Sequence, residues 1–359
     1  MKYEITATVT EEICIPDLHK AGNTSDTIDY IPGRALWGAF ASLTGIVPGE
    51  KPDKDFIEVF YSDDVVFSNL YPADPSGISR SYPIPLSART KKEQPGFTAD
   101  RRFSGIKSGG GVYDWLLHGP PESIDYEDYI KYPGFCVYRS QVDTCLHVNV
   151  QREYRGHSAS TSFRNVSKEK SLFTRQVIPR GEVFVGYILA NSDSAENSLE
   201  KIMKKIGVLN KDGNADIPLG SSSGWIDTEI VSKNYEESQK NNDIDTDLLT
   251  NGNFFTITCI SETIILDSFL RAHVAIPVEA IKDRIGECIS ELKLERHFSA
   301  TMPIVGWNSA YRRPVETDIA ILKGSSFLYS FKLSKQAKDQ LSILSVRTDP
   351  GLCQYQAFS

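Results

Sequence analysis

The sequence predicts an α+β protein in which a βαββαβ order occurs twice, with a loop-rich insertion in the first copy. Three observations carry that expectation. Tyr3, Ile5, Ala7 and Val9 alternate with polar residues, as a half-buried strand requires. Leu199, Ile202, Met203 and Ile206 share one face of a helix. Residues 233–251, KNYEESQKNNDIDTDLLTN, are polar and nearly free of aromatic side chains, as a linker or long surface loop is. They divide residues 1–232 from residues 252–359.

In the front part, strand 3–9 leads through a loop to the Pro-Gly turn of IPGRALWGAF (31–40), which opens a helix over 34–43. Trp37 and Phe40 are expected in the core beneath that helix. An insertion around 67–150 is rich in Pro and Gly in its first part, 67–121, which reads as loops and short strands. EVFVGYIL (182–189) reads as a buried strand, SLEKIMKKIGVL (198–209) as an amphipathic helix, and DIPLGSSSGWIDTEIV (216–231) as a small-residue loop entering a strand. The back part repeats the outline. FFTITCISETIIL (254–266) is strand-like, and IPVEAIKDRIGECISELKL (276–294) has helical spacing at Val278, Ile281, Ile285, Cys288, Ile289 and Leu292. TDIAILKGSSFLYSFKL (317–333) gives two strands about a turn; Ser334 is placed to cap a short helix through Leu341, ahead of a strand near 354–358. The order is that of two ferredoxin-like (RRM-like) sandwiches.

Composition narrows the class. The 359 residues suffice for two or three domains, and shares of 40% hydrophobic and 24% charged residues are those of a soluble globular chain. No apolar run approaches a membrane span, and the first residues alternate instead of forming a signal peptide's apolar stretch, so a cytoplasmic protein without membrane contact is expected. The six cysteines (14, 136, 145, 259, 288 and 353) are scattered and read as reduced, mostly buried thiols. A net charge of −8 speaks against a free-standing nucleic-acid binder, though not against a subunit with a local basic surface. Base is indeed segregated. Arg152, Arg155, Arg164, Lys168, Lys170, Arg175 and Arg180 crowd into 152–180 against only Glu153 and Glu169, while acid gathers at 50–64 and 236–247.

Four features point to phosphate and base recognition, each with a plainer reading beside it. Gly33 and Arg34 stand at a helix N-terminus, where backbone N–H groups and a guanidinium suit an anion; the plain reading is a solvated charge. LGSSSGW (219–225), with Gly220, Ser222, Gly224 and Trp225, lets backbone approach a ligand closely, or is simply a turn. Its setting is neither that of a P-loop nor that of a dinucleotide fingerprint. In 150–181 the basic residues interleave with Tyr154, Phe163 and Phe173, as backbone tracking with base stacking would want, or form a solvated face. VGWNSAYRRP (305–314) sets Trp307, Asn308 and Tyr311 beside Arg312 and Arg313, and KGSSF (323–327) is a second small-residue turn.

YIPGRALWGAF looks like the Pro-Gly-Ser-x-Leu-x-Gly signature of RAMP-superfamily CRISPR proteins. LGSSSGWIDTEI resembles that family's glycine-rich loop, and SLFTRQVIPRGEVFVGYIL resembles the stretch preceding its second helix. GWNSAYRRPVETDIAILKGSSFLY is similar to a block of a second RAMP domain, and RTDPGLCQYQAF would occupy the position of its closing glycine loop. In this order, over nearly the whole chain, they are most like the two-domain, Cas5-like subunit of type III-D effector complexes. The resemblance implies two RAMP domains and a non-catalytic role in antiviral defence. It implies binding to the 5′ repeat-derived tag of guide RNA, with target RNA as a further candidate ligand. Other RAMP subunits and the large signalling subunit would be protein partners. Arg34 stands where the family often has Ser or Thr, and the glycine loop lacks the usual arginines. The expected contacts therefore shift onto Arg34, residues 152–180, Arg312 and Arg313.

Catalysis has weaker support. Related backbone subunits cut RNA with an aspartate before the Pro-Gly turn, and this chain offers Asp26 and Asp29. Asp29 is so close to Pro32 that it reads as an Asx-turn or cap, with an endoribonuclease as the alternative. His19 and His157 lie in suitable loops but without partners in a recognisable order. Cys136, Cys145 and His147 lack a fourth ligand and read as core thiols and a strand histidine. No metal or cofactor is expected. A protein-only scaffold is the remaining alternative.

Overall fold

The alternation at the start of the chain becomes strand β1 (Lys2–Val9), with Tyr3, Ile5, Ala7 and Val9 all buried. The computed structural model describes residues 2–17, 24–46, 49–98, 109–120, 128–139, 144–160, 167–208, 214–220, 224–233, 254–285, 289–305, 307–308, 313–314 and 317–333. The protein is mixed α/β and strand-rich, as expected. Its chain falls into two compact units, Met1–Ser81 with Val148–Tyr235, and Tyr82–His147 with Glu236–Ser359.

After β1 come β2 (Thr24–Ser25), α1 (Gly33–Leu43), α2 (Lys54–Phe60), β3 (Val65–Phe67) and β4 (Tyr71–Pro72). The stretch 82–148 supplies β5 (Tyr82–Pro83), β6 (Ala88–Lys91), β7 (Val112–Asp114), α3 (Trp115–His118), β8 (Tyr129–Lys131), β9 (Phe135–Arg139) and β10 (Thr144–Val148). Next are β11 (Glu153–Ser160), β12 (Ser167–Val177), β13 (Val183–Ala190), α4 (Asp193–Lys205), β14 (Asn214–Leu219) and β15 (Gly224–Lys233). The last described stretch holds β16 (Phe254–Thr258), α5 (Val278–Ile285), β17 (Ile289–Phe298), β18 (Thr301–Ile304), β19 (Trp307–Asn308), β20 (Arg313–Pro314), β21 (Asp318–Ile321) and β22 (Ser326–Leu333).

The main sheet of the first unit has the order β14-β15-β1-β13-β3, with β4 also on β13 and its pairings antiparallel. Helix α1 lies in the connection from β1 to β3, which flank β13, and α4 connects β13 to β14, which have β1 and β15 between them. Leu36 and Phe40 of α1 and Leu199, Ile202 and Met203 of α4 are buried in one cluster with the inner face of β1, each side chain contributing roughly 1.5–3 kcal/mol. Ser192 caps α4 by accepting the Ala195 N–H, and acids in its first turn with lysines in its last suit the helix dipole. Trp37 departs from expectation. It stays 39% exposed, edge-on to Phe60, while Phe40 takes the core position three residues later. The acidic stretch 50–64 makes specific bonds. Asp53 caps α2, and Asp55 accepts from Ser198 and Lys201 of α4.

In the second unit, β22 lies between β16 and β17, antiparallel to both. Ile257, Ile281, Leu292, Phe327, Tyr329 and Phe331 form its core with their neighbours. The expected helix over 276–294 is corrected here: α5 ends at Ile285 and β17 begins at Ile289. Leu292, Leu294, Arg296 and Phe298 alternate with Glu291, Lys293, Glu295 and His297, and pairing with β22 selects this period of two over the helical one. Residues 82–147 attach to this unit through specific bonds. Leu86 donates its N–H to the Gly324 carbonyl at 2.7 Å. Arg296 Nη1 donates to the carbonyls of Trp115, Leu116 and Leu117 at 2.9–3.3 Å, gathering the end of α3. The expected elements after Ser334 lie outside the described residues. Among the described residues, no helix is long and apolar enough to cross a membrane.

Candidate nucleic-acid interface

The Pro-Gly turn is locked from behind. Pro32 is extended (φ −62°, ψ 139°), and the Gly33 N–H at the start of α1 donates to Asn69 Oδ1 at 2.9 Å. A methyl group on Gly33 would sit 2.1 Å from the Phe67 carbonyl oxygen, so the missing side chain admits the protein's own backbone. Asn69 is itself held: its Nδ2 donates to Tyr71 Oη at 3.1 Å, and its carbonyl accepts from Arg80 Nη2 at 3.0 Å. Arg80 lies over the rings of Tyr71 and Tyr187, and Tyr30 packs beside Tyr71. Sequence reasoning missed this guanidinium–aromatic stack; its only trace was an arginine in a tyrosine-rich, Pro/Gly-rich segment. Arg34 follows, exposed on the first turn of α1.

The basic stretch 150–181 folds into the antiparallel pair β11–β12, with Arg155 directly opposite Arg175 and Tyr154 opposite Gln176. Two like charges facing one another across a ladder repel. Acids relieve this repulsion: Arg155 Nε donates to both Glu12 carboxylate oxygens at 2.9 and 3.1 Å, and its Nη2 pairs with Glu12 and Glu153. The Glu12 carboxylate holds the guanidinium's pKa above its already high ordinary value. The Arg175 guanidinium lies 5.7 Å from the Phe173 ring centroid, and Tyr154 is 60% exposed.

The loop between β1 and α1 joins these parts. Ile13 bridges Ile178, β2 runs parallel to β12 at Thr24–Thr174 and Ser25–Arg175, and the Thr27 N–H donates to Gln176 Oε1 at 3.2 Å. Arg152 Nη2 pairs with Asp29 Oδ2 at 2.9 Å. Of the two candidate cutting residues, Asp29 is thus engaged with an arginine, while the Asp26 carbonyl accepts the Asp17 N–H. The glycine loop closes on the same segment. Side-chain methyl groups on Gly220 (φ +84°) and Gly224 would lie 2.5 and 2.2 Å from the carbonyl oxygens of Cys14 and Glu12. The Trp225 carbonyl accepts the N–H groups of Thr10 and Glu11, and its indole is partly exposed.

The first unit therefore gathers Gly33, Arg34, Arg152, Arg155, Arg175, Gly220, Gly224 and Trp225 about the 10–33 loop. The backbone of Lys168 lies in β12. Arg164, Ser222 and Arg312 lie outside the described residues. Trp307, Asn308 and Arg313 belong to the second unit, where β19 and β20 pair Trp307 with Pro314 and Asn308 with Arg313. Exposed arginine–carboxylate pairs are worth only about 0–1 kcal/mol each. A phosphate offers these guanidinium forks the same paired oxygen acceptors as the carboxylates do.

Among the described residues, no group of three or more His, Cys, Asp or Glu side chains is placed to hold a metal ion. Cys136 is hydrogen-bonded to Cys145, and His147 Nε2 lies 3.2 Å from the Pro133 carbonyl.

No family model matches the chain, and no curated protein matches it. Among solved structures, it is similar to a chain in the cryo-EM structure of the Type III-B Cmr-beta bound to cognate target RNA. That match has 11% identity and a TM-score of 0.47, covering 95% of this chain and 89% of the other. A chain of a Type IV-B CRISPR complex matches at 10% identity and TM-score 0.31, covering 65% of this chain and 91% of the other. Cmr4 (Cas7) of Pyrococcus furiosus matches at 9% identity and TM-score 0.28, covering 65% of this chain and all of the other.

Proposed function

We propose that this chain is a non-catalytic RNA-binding subunit of a type III CRISPR ribonucleoprotein, in the Cas5-like role. The observation that carries this reading is the antiparallel pair β11–β12, which sets Arg155 and Arg175 side by side with Tyr154 exposed and is tied to Glu12 and to Thr24, Ser25 and Thr27 in the segment between β1 and the Pro-Gly turn. Such a surface tracks phosphates and stacks bases without a nucleophile or metal. Under this reading the chain holds two ferredoxin-like RAMP domains, at 1–232 and 252–359, with residues 82–147 packed on the second. The antiparallel orders β15-β1-β13-β3 and β16-β22-β17 support it. The guide RNA's 5′ repeat-derived tag is the proposed ligand, and RAMP subunits with the large signalling subunit are the proposed neighbours.

The test is a salt titration of guide-RNA binding by the purified chain and by its Arg152→Ala/Arg155→Ala/Arg175→Ala variant. The slope of log affinity against log salt should become shallower by about two for three lost contacts to single-stranded RNA. An unchanged slope excludes this surface. If the complex cuts RNA and Asp26→Ala/Asp29→Ala abolishes a cut, the endoribonuclease reading replaces this one. If ultraviolet irradiation of the complex yields no RNA adduct on this chain, a protein-only scaffold does.

A further inference from the structure

Residues 264–274 form a hairpin whose tip presents large apolar side chains to water. Phe269 is 75% exposed and Leu270 80%, and Ile264, Leu266 and Val274 are also exposed. Soluble surfaces seldom leave so many large apolar side chains together without a use. The tip is nevertheless rigidly built. Asp267 accepts the Phe269 and Arg271 N–H groups on Oδ1 at 2.8 and 2.9 Å, and Arg271 Nε on Oδ2 at 2.7 Å. Its own N–H donates to the Arg271 carbonyl, its carbonyl accepts the Leu270 N–H, and Leu266 bridges Ala272 below. These bonds hold Leu270 at φ +60°, a left-handed conformation that a bulky residue rarely adopts and that glycine or asparagine would take with less strain. A strained leucine at an exposed tip is evidence that the side chain itself is wanted there.

We infer that this tip is a preformed plug that seats Phe269 and Leu270 in an apolar socket of a neighbouring protein subunit; this rests on the reading of the chain as a subunit of a ribonucleoprotein. The chemistry favours protein over RNA. Arg271 is neutralised by Asp267 and covers one face of the Phe269 ring at 5.2 Å. At the base of the hairpin, where Thr263 bridges Ile321, Lys323 is paired with Glu262. A neutral, apolar, rigid projection with one ring face occupied suits a greasy pocket, where such anchors dominate binding energy and little conformational entropy is lost.

The test uses the full chain assembled in its ribonucleoprotein, with p-benzoylphenylalanine in place of Phe269. Irradiation should give an adduct to a protein subunit, mapping to an apolar peptide; an adduct to RNA, or none, overturns the inference. In parallel, Phe269→Ser/Leu270→Gly, which removes the left-handed strain, should lower incorporation into the complex at least about tenfold. Melting temperature and RNA binding by the isolated chain should stay unchanged. Wild-type incorporation by that variant overturns the plug and leaves RNA binding standing. Failure of the wild-type chain to co-purify with any ribonucleoprotein removes the underlying reading, and the plug with it.

Discussion

Arg155 and Arg175 face one another across β11 and β12, and Glu12, reaching in from a loop far away in sequence, clasps Arg155. The carboxylate therefore competes with any phosphate for the same fork. Glu12→Gln should raise RNA affinity at low salt and leave the slope of the salt dependence unchanged, since the Arg155 fork reaches the same phosphate without first leaving a carboxylate. Fluorescence anisotropy across a salt series measures both; a weaker complex would show that the pair positions Arg155 more than it blocks it.

Gly33 is fixed by the Phe67 carbonyl and by Asn69. Gly33→Ala should destabilise the first unit by about 1–3 kcal/mol or more, because backbone must shift to admit the methyl group. Asn69→Ala should cost about 1–3 kcal/mol by leaving the Gly33 N–H without its acceptor. Urea-unfolding midpoints with unchanged m-values would register both.

Arg296 holds three carbonyls at the end of α3. Arg296→Met should destabilise the second unit by about 1.5–3 kcal/mol, the usual worth of hydrogen bonds to a charged group. Hydrogen exchange should accelerate in residues 115–119 first, before the strands of the sheet. Uniform acceleration would mean that Arg296 acts on the whole unit.

The Cys136 thiol is pushed well above its ordinary range by its hydrogen bond with Cys145 and by burial. The folded state therefore keeps a proton that the unfolded chain releases. This contribution to stability is complete below the ordinary thiol pKa of about 8.5 and is lost as pH rises above it. Cys136→Ala should flatten the decline in unfolding free energy over the alkaline range. Iodoacetamide should label Cys136 in the native protein far more slowly than in urea.

What could be read from the sequence was what depends on local periodicity. The faces of β1 and α4 and the two strands about Lys323-Gly324 follow from residue spacing alone. The end of α5 did not, because Ile289 and Leu292 fit both periods until β22 pairs with them. Trp37 and Phe40 could not be told apart without knowing where Phe60 packs. For the site, the basic stretch and the Pro-Gly turn were legible as composition. The acids and amide that control them were not: Glu12 meets Arg155, Asp29 meets Arg152, and Asn69 caps Gly33 only after the chain has folded back.

The interleaving of the two units constrains how the chain is made and cut. It passes from one unit to the other three times, at 81–82, 147–148 and 235–236. Trp115, Leu116, Phe135 and Val137 are synthesised well before the strands of 254–333 that complete their unit. A growing chain must carry that apolar surface unfinished while the first unit closes. A fragment ending at residue 235 would keep it open for good, and should aggregate where the full chain does not.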